Sequence, residues 1–211
     1  MAEARVRLVR RAPTRVKADI GDDELLDMLV NGHPQAVRTT WLRFAPLVHR
    51  LLKHALGHEE DVADLAQLVF IRFFESAPKL RDPSALRPLV IALTTGAIRA
   101  ELRSRWLHGW FPFEHVEPTR TTSVPPSPAS REPLRRLYFI LDRFKTEDRV
   151  AFAYHYMEGL SLEEVADALH LSLPAAQRRL TRAWSRVVLH IERDNALLEY
   201  LSKVEELGAT A

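Results

Sequence analysis

The sequence predicts an all-α protein made of two small helical domains joined by a linker. Its apolar residues recur at the three- and four-residue spacing of helices that bury one face, and no stretch of alternating β-branched residues competes with that pattern. Residues 111–133 hold six of the thirteen prolines in this chain of 211 residues, with Ser and Thr in most of the gaps. Because repeated proline blocks helix formation, we expect this segment to be a flexible linker.

The composition excludes several classes of protein. Hydrophobic residues make up 46% and charged residues 27% of the chain, as in ordinary globular proteins. The absence of cysteine excludes disulfide frameworks, thiolate zinc sites and cysteine nucleophiles. The longest aliphatic run, residues 89–93, is far shorter than the roughly 20 residues that span a bilayer, and no apolar stretch follows the basic start. We therefore expect a cytoplasmic protein without membrane insertion.

Positive charge is concentrated at the start of the chain. Residues 1–17 carry six basic residues and one acidic residue, a net charge of +5 within an overall net charge of +2. A basic arm of this kind, residues 1–18, is typical of a disordered segment that samples an anionic surface such as nucleic acid. A solvated terminus without a partner explains it equally well.

Four helices are predicted in the first domain, residues 19–110. Each is bounded by capping, glycine or proline signals. The predicted helices start at Asp22, at Pro34, near Glu59 and after Asp82-Pro83-Ser84. The first ends near Asn31-Gly32, the second towards Gly57 and the fourth at about Leu107.

The third predicted helix has an unusual outward face. On a wheel of about 100° per residue, Asp64, Ile71 and Glu75 lie opposite the core-facing side, with Asp61 and Leu68 beside them. Outward aliphatic side chains next to carboxylates favour a docking surface. Single exposed apolar residues are nevertheless common, so the helical geometry alone leaves both interpretations open.

Residues 44–48, Gly57 and residues 61–70 resemble region 2 of bacterial sigma factors of the extracytoplasmic-function group, within the sigma-70 family. In that family this helix binds the clamp coiled coil of the largest RNA polymerase subunit. Leu68 stands where the family usually has an acidic residue. The resemblance implies a polymerase-binding set on this helix: Asp61, Asp64, Leu65, Gln67, Leu68 and Ile71.

A capping box opens the clearest motif of the second domain, residues 134–190. The hydroxyl of Ser161 can accept from the amide of Glu164, whose side chain can reach back to the serine amide. The short helix that follows ends at Leu169, and Ser172 can cap a second helix after a three-residue break. Two short helices joined by so brief a turn form a helix-turn-helix.

The second helix of this motif carries arginines opposite its apolar stripe, which is formed by Leu173, Ala176, Leu180, Trp184, Val187 and Ile191. Arginines on one helix face fit phosphate contact or guanine readout in a DNA major groove, although a solvated basic face is the simpler alternative. Residues early in such a helix usually reach base edges. We therefore expect base readout by Ala175, Gln177, Arg178 and Arg179, and phosphate binding by Arg182 and Arg186.

The same segment, from Glu158 to Ala183, resembles sigma region 4. In the family this module reads the −35 promoter element and contacts the polymerase flap. Two departures occur: His170 stands where glycine is common, and residues 175–177 replace a triplet similar to Thr-Val-Lys. The second departure indicates an unusual −35 sequence or weaker recognition.

The helix expected to melt promoters matches the family least well. Holding a single strand requires aromatic platforms for bases and cations for phosphates, and residues 89–97 lack the Trp and Asn that the family supplies. The basic end of the helix is kept. For Trp106, Trp110, Phe111 and Phe113 we favour packing at the junction with the linker over stacking on bases. The candidate −10 contacts are Arg99, Arg103, Arg105 and Trp106.

Two further features remain. His49, His54 and His58 hint at a metal site, but Gly57 interrupts the helix between the last two, so we predict no metal and no cofactor. Residues 191–211 extend an amphipathic helix beyond the family pattern. This extension can pack on its own domain, cover the recognition helix or bind a partner.

The sequence therefore predicts a transcription initiation factor and not an enzyme, because no nucleophile–base set, metal constellation or glycine loop is found. The resemblance implies that core RNA polymerase and promoter DNA are its partners and that an anti-sigma factor can hold it inactive. One alternative is a degenerate sigma-like regulator that binds polymerase or a partner without melting promoters. Another is a stand-alone helix-turn-helix regulator that binds duplex DNA as a dimer.

Overall fold

The computed structural model describes residues 20–57, 62–107 and 128–191. Within these ranges the regular structure is helical and no strand is present, which confirms the predicted all-α class. The basic arm, most of the predicted linker, Asp61 and the C-terminal extension lie outside the described residues.

The described helices divide into an N-terminal and a C-terminal group. Short 3₁₀ turns at Ala77–Lys79 and Pro83–Ala85 separate α3 from α4, and a π-helical turn at Ala153–Met157 continues α6. The N-terminal helices are α1 (Asp22–Val30), α2 (Ala36–Leu56), α3 (Val62–Ser76) and α4 (Leu86–Leu107), and the C-terminal helices are α5 (Pro128–Leu141), α6 (Thr146–Phe152), α7 (Leu162–Leu169) and α8 (Leu173–Ile191).

Local signals end the N-terminal helices much as the sequence predicts. Gly57 follows α2 with φ of 79°, a left-handed conformation that glycine adopts without steric cost. Asn31 caps the end of α1. The carboxylate of Asp82 accepts from the amide of Ser84 at 2.9 Å, and these hydrogen bonds from Ser84 lower the pKa of Asp82.

Three predicted boundaries are wrong. Gly21 caps α1, because the Asp22 carboxylate forms an ion pair with Arg43 of α2 and does not bond to the backbone of its own helix. Pro34 precedes α2, which begins at Ala36. The linker is shorter than predicted, since α5 begins at Pro128. A proline is tolerated at a helix start because its missing N–H has no partner to lose there.

The predicted capping box and helix-turn-helix are present. The amide of Glu164 donates to Oγ of Ser161 at 3.2 Å, and the amide of Ser161 donates to Oε2 of Glu164 at 3.0 Å. Helix α7 ends at Leu169, and His170 follows it with φ of 56°. His170 therefore keeps the left-handed backbone of the glycine that is common in the family at this position.

The two helical groups pack against each other and share one apolar cluster, and the C-terminal group has a second cluster of its own. Buried residues of α2, α3 and α4 belong to the same cluster as buried residues of α6, α7 and α8. Helix α4 contacts α6 and α7, and α2 contacts the π-helical turn. We call these contacts between the two groups the domain interface. The composition of the linker does not indicate that the two groups touch.

Two buried polar groups lie in the domain interface. The hydroxyl of Tyr154, whose side chain is fully buried, lies 2.9 Å from Oγ1 of Thr95 on α4. Burial raises the pKa of the Tyr154 phenol, because the charged form is poorly solvated there. Arg149, which is 5% exposed, donates to the carbonyl oxygens of Ala55 and Leu56. It thereby satisfies backbone acceptors that the end of α2 leaves open.

We predict that Ser161→Ala lowers the free energy of unfolding by about 1 kcal/mol, because the amide of Glu164 loses its capping partner. Urea denaturation followed by circular dichroism measures the change. Ser185→Ala is the matched control, since its hydroxyl donates to the carbonyl of Thr181 inside α8 and alanine has the higher helix propensity. Equal destabilisation by the two variants would show that the capping box contributes nothing.

Candidate polymerase and nucleic-acid interfaces

The outward face of α3 is exposed. Leu68 and Ile71 keep 48% and 55% of their surface accessible, and Asp64 and Gln67 are exposed beside them. The opposite side of the helix is anchored in the core by residues such as the fully buried Phe73. We call the exposed set Asp64, Gln67, Leu68 and Ile71 the α3 surface.

Two members of the predicted polymerase-binding set stand apart from this surface. Leu65 is half-buried and packs against the core, so it anchors α3 and is not part of the exposed face. Asp61 lies outside the described residues. The remaining four residues are brought together on one face of α3.

An exposed aromatic ring on α2 lies next to α3 and was not singled out from the sequence. The ring of Trp41 is 4.5 Å from the ring of buried Phe70 on α3, and Trp41 remains 39% exposed. Val37 and Leu42, also on α2, are more than half exposed. The sequence contains one sign that an apolar side chain is exposed here. Trp41 and Leu42 are adjacent, and adjacent helical residues point about 100° apart, so both cannot lie at the centre of the buried face.

The second helix of the helix-turn-helix presents a polar, positively charged face to solvent. The outward face of α8 carries Gln177, Arg178, Thr181, Arg182 and Ser185, all of them exposed. Arg178 and Arg182 are exposed, as the sequence predicts.

The opposite side of α8 is packed in the core. Ala176, Leu180 and Val187 are buried, whereas Leu173, predicted in the same stripe, is 44% exposed. Leu173 is the first residue of the helix and precedes the first turn that packs against the core. Ala175, a predicted base-reading residue, is half-buried.

The other two arginines of α8 have partners within the domain. Nη1 of Arg179 is 2.8 Å from Oδ1 of Asp148, a residue of α6 that is only 8% exposed. The guanidinium of Arg186 lies 4.2 Å from the ring centroid of Phe144 and donates to the carbonyl of Arg143 at 3.2 Å. Arg179 and Arg186 therefore hold α8 in the domain, which sets them apart from Arg178 and Arg182.

The arginines at the basic end of α4 also differ in their contacts: two form ion pairs and a third is exposed. Nε and Nη2 of Arg99 donate to the two carboxylate oxygens of Glu147 at 2.8 and 2.9 Å. Arg105 donates to Glu101 at 2.6 Å within α4. Arg103, in contrast, is exposed.

Trp106 follows these cations and does not pack at the junction with the linker. It is 78% exposed, so the favoured explanation for this residue, burial at the junction, is wrong. Helix α4 continues to Leu107 and buries residues such as Ile98 on its other side. Trp110, Phe111 and Phe113 lie outside the described residues.

The histidines that hint at a metal site are not gathered around one point in the described residues. Nδ1 of His54 lies 3.3 Å from Oε2 of Glu158, and His58 lies outside the described residues. Across the described ranges, no group of three or more metal-ligating side chains occurs. None of the described helices is long and apolar enough to cross a bilayer.

The fold and these surfaces define a class of protein: an all-α, two-domain chain with a helix-turn-helix and a separate exposed apolar face. Two family models match it, one described as Sigma-70 region 2 over residues 40–108 and one as Sigma-70, region 4 over residues 134–187. Together the two matches cover more than half of the chain. The chain belongs to the sigma-70 family, which confirms the resemblance drawn from the sequence motifs.

Similar proteins agree with this assignment. The probable RNA polymerase sigma factor RfaY of Xanthomonas campestris pv. campestris is 29% identical over 142 residues, which are 63% of this chain and 35% of that protein. The chain thus spans about a third of the length of this relative. A solved structure of CnrH in complex with the cytosolic domain of CnrY has the same fold, with a TM-score of 0.61 and 20% identity over 82% of this chain and 99% of the other.

We predict that Arg179→Ala lowers the free energy of unfolding by about 1.5–3 kcal/mol, because it leaves the buried carboxylate of Asp148 without its close partner. Arg178→Ala is the matched control and should stay within about 0.5 kcal/mol of the unchanged protein, as exposed substitutions usually do. Chemical denaturation measures both variants. A neutral result for Arg179→Ala would mean that this ion pair does not hold α8 in place.

Proposed function

We propose that this protein is a transcription initiation factor that binds core RNA polymerase through the α3 surface and directs it to promoters through α8. The observation that carries the proposal is the presence, in one sigma-70 family chain, of an exposed apolar docking face and an exposed arginine face on a helix-turn-helix. We assign no bond-breaking chemistry to the protein.

The outward face of α8 supports DNA recognition. Arg178 and Arg182 lie four residues apart, about 6 Å along the helix axis, so both can face the same groove. An arginine can bond bidentately to guanine, and the amide of Gln177 can do the same with adenine. Because Arg178 lies nearer the start of α8, we assign it to base readout and Arg182 to a phosphate.

The α3 surface supports polymerase binding. Leu68 and Ile71 supply apolar area at the centre of a patch, and Asp64 and Gln67 supply polar groups beside it, which is the usual composition of a protein interface. The leucine at position 68 replaces an acidic residue that is usual in the family. It therefore shifts the patch from charge toward apolar contact.

Single-stranded promoter DNA is assigned to the end of α4. Arg103 can bind a phosphate, and the exposed ring of Trp106 can stack on an unpaired base. Trp106 would then serve the purpose of the Trp that residues 89–97 lack. This assignment distinguishes the proposal from the alternative of a degenerate sigma-like regulator, which would not melt promoters.

An anti-sigma protein is a further proposed partner. The solved structure that shares this fold contains CnrH in complex with the cytosolic domain of CnrY. We propose that a protein of this kind also binds the present chain and holds it inactive.

Purified protein mixed with core RNA polymerase and a genomic DNA library tests the proposed function directly. Transcripts that start at specific sites only when the protein is present support it. Polymerase binding without transcripts would instead indicate the degenerate regulator. Binding to palindromic DNA without polymerase would indicate the stand-alone helix-turn-helix regulator.

We predict that Ile71→Asp weakens binding to core RNA polymerase by at least about tenfold, because a carboxylate replaces an apolar side chain at the centre of the α3 surface. Val30→Asp is the control, since it makes the same exchange at a residue of α1 that is 54% exposed. Fluorescence anisotropy of labelled protein measures both affinities. Equal losses for the two variants would place the polymerase contact elsewhere.

We predict different effects from the two exposed arginines of α8. Arg178→Ala should relax sequence preference at one base pair, costing about 1–3 kcal/mol on the cognate site. Arg182→Ala should weaken binding evenly across sequences and reduce the salt slope by about one. Duplexes selected from a random pool provide the cognate site. The division of roles is refuted if both variants lose equally on cognate and random DNA.

A further inference from the structure

We infer that the C-terminal extension folds back along α8 and covers its outward face, so that duplex DNA must displace it. This inference rests on the proposed function, which assigns that face to DNA. Three observations carry it: an exposed leucine on the face, the opposite charges of the face and the extension, and the matched length and spacing of their residues. The extension itself lies outside the described residues.

The first observation is an exposed leucine in line with the two exposed arginines of α8. Leu189 keeps 63% of its surface accessible. It follows Arg182 by seven residues and Arg178 by eleven, a spacing that places all three on one face of a helix. Leucine cannot bond to a phosphate, and Leu189 lies about 17 Å along the axis from Arg178. It therefore indicates an apolar contact on this face, away from the end assigned to base readout.

The second observation is the opposite charge of α8 and the extension. Helix α8 contains four arginines and no acidic residue. Residues 192–211 carry five acidic and two basic residues, a net charge of −3. They begin directly after Ile191, the last residue of α8. Because the two are joined covalently, their association is intramolecular, with an effective concentration of about millimolar.

The third observation is that the extension has the length and the residues for an antiparallel helix along α8. Residues 192–195 end in Asp194 and Asn195, which favour turns, and two antiparallel helices are commonly joined by about two to five residues. Residues 196–207 are mostly strong helix formers. A helix over them is about 18 Å long, which matches the distance from Leu189 to Arg178.

The apolar residues of the extension also have the spacing of the outward residues of α8. Leu197, Leu201 and Val204 follow the pattern i, i+4, i+7. Counted back from its end, α8 has the same spacing at positions 189, 185 and 182. In an antiparallel pair of helices about 8–10 Å apart, Leu197 then lies against Leu189, and Leu201 lies against Ser185.

In this register an acidic residue reaches the exposed arginines. Glu205 flanks the apolar side of the extension, at the level of the turn between Arg178 and Arg182. Its carboxylate accepts from a guanidinium as a DNA phosphate does. The aliphatic stems of the two arginines supply apolar area to Val204. DNA and the extension therefore compete for the same side chains.

Competition of this kind lowers the measured affinity for DNA. When only the uncovered fraction of the protein is competent, the apparent dissociation constant rises in inverse proportion to that fraction. A variant that breaks the apolar contact should therefore bind duplex DNA more tightly, even where it adds a negative charge. Added negative charge by itself weakens DNA binding, so a gain in affinity is a specific signature.

A disulfide tests the contact in the full-length protein without DNA. Because the chain has no cysteine, Ser185→Cys and Leu201→Cys introduce one pair at the facing positions. Two cysteines are bridged only when their Cα atoms come within about 7 Å, so we expect rapid intramolecular oxidation, measured by mass spectrometry. The pair Asp167→Cys and Leu201→Cys is the control. Asp167 is exposed on α7, and this pair should oxidise much more slowly.

Leu201→Asp is the key variant for DNA affinity, measured with a duplex whose site is selected from a random pool. It removes an apolar side chain from the contact and adds a negative charge. We expect a roughly three- to tenfold gain in affinity. Leu189→Gln weakens the contact from the side of α8 and should act in the same direction. Val30→Asp is the control, because it adds the same charge at an exposed residue of α1, and it should give no gain.

The outcomes separate this inference from the proposed function. Circular dichroism verifies that each variant keeps its helix content. If the 185–201 pair oxidises no faster than its control, or folded Leu201→Asp and Leu189→Gln bind DNA no more tightly than the unchanged protein, the inference is overturned while DNA binding stands. If the pair oxidises rapidly but no form binds duplex DNA, alone or with core polymerase, the contact is supported and the assignment of α8 to DNA fails.

Discussion

Burial of the segment from Asp148 to Tyr154 on every side is the constraint on which the rest of the structure depends. All residues from Asp148 to Tyr154 are buried, so this short segment has no solvent face, and a helix of that kind must be surrounded by partners. Phe152 packs in the core of the C-terminal domain, whereas Tyr154 belongs to the core that is shared with α2, α3 and α4. Val150, Ala151 and Ala153 also belong to the shared core, so this one segment contributes to both clusters.

The two charged residues of this segment connect it in opposite directions. Asp148 accepts from Arg179 and fixes α8 in its own domain, and Arg149 donates to the end of α2 in the other domain. Both charges are buried, and buried charges are retained when they are paired and hydrogen-bonded. A single pair of neighbouring residues thus links α8 to its own domain and that domain to the other.

The domain interface leaves the three candidate surfaces unequally exposed. The α3 surface and the outward face of α8 are exposed, while the face of α4 that carries Thr95 and Arg99 is covered. On the proposed function, polymerase and duplex DNA therefore meet surfaces that are already exposed, whereas α4 offers only its end, with Arg103 and Trp106.

The sequence by itself determined the features that depend on neighbours within about four residues. The capping box at Ser161, the left-handed end of α2 at Gly57 and the outward face of α3 are of this kind, because their causes are local hydrogen bonds, backbone conformation and helical period. Tertiary structure alone decided which arginines of α8 are held in the domain, whether Trp106 is buried, and that the two domains touch. Those outcomes depend on contacts such as the one between Thr95 and Tyr154, which are 59 residues apart. Composition and periodicity carry no information about which surface meets which, since burial is a property of the whole packed chain.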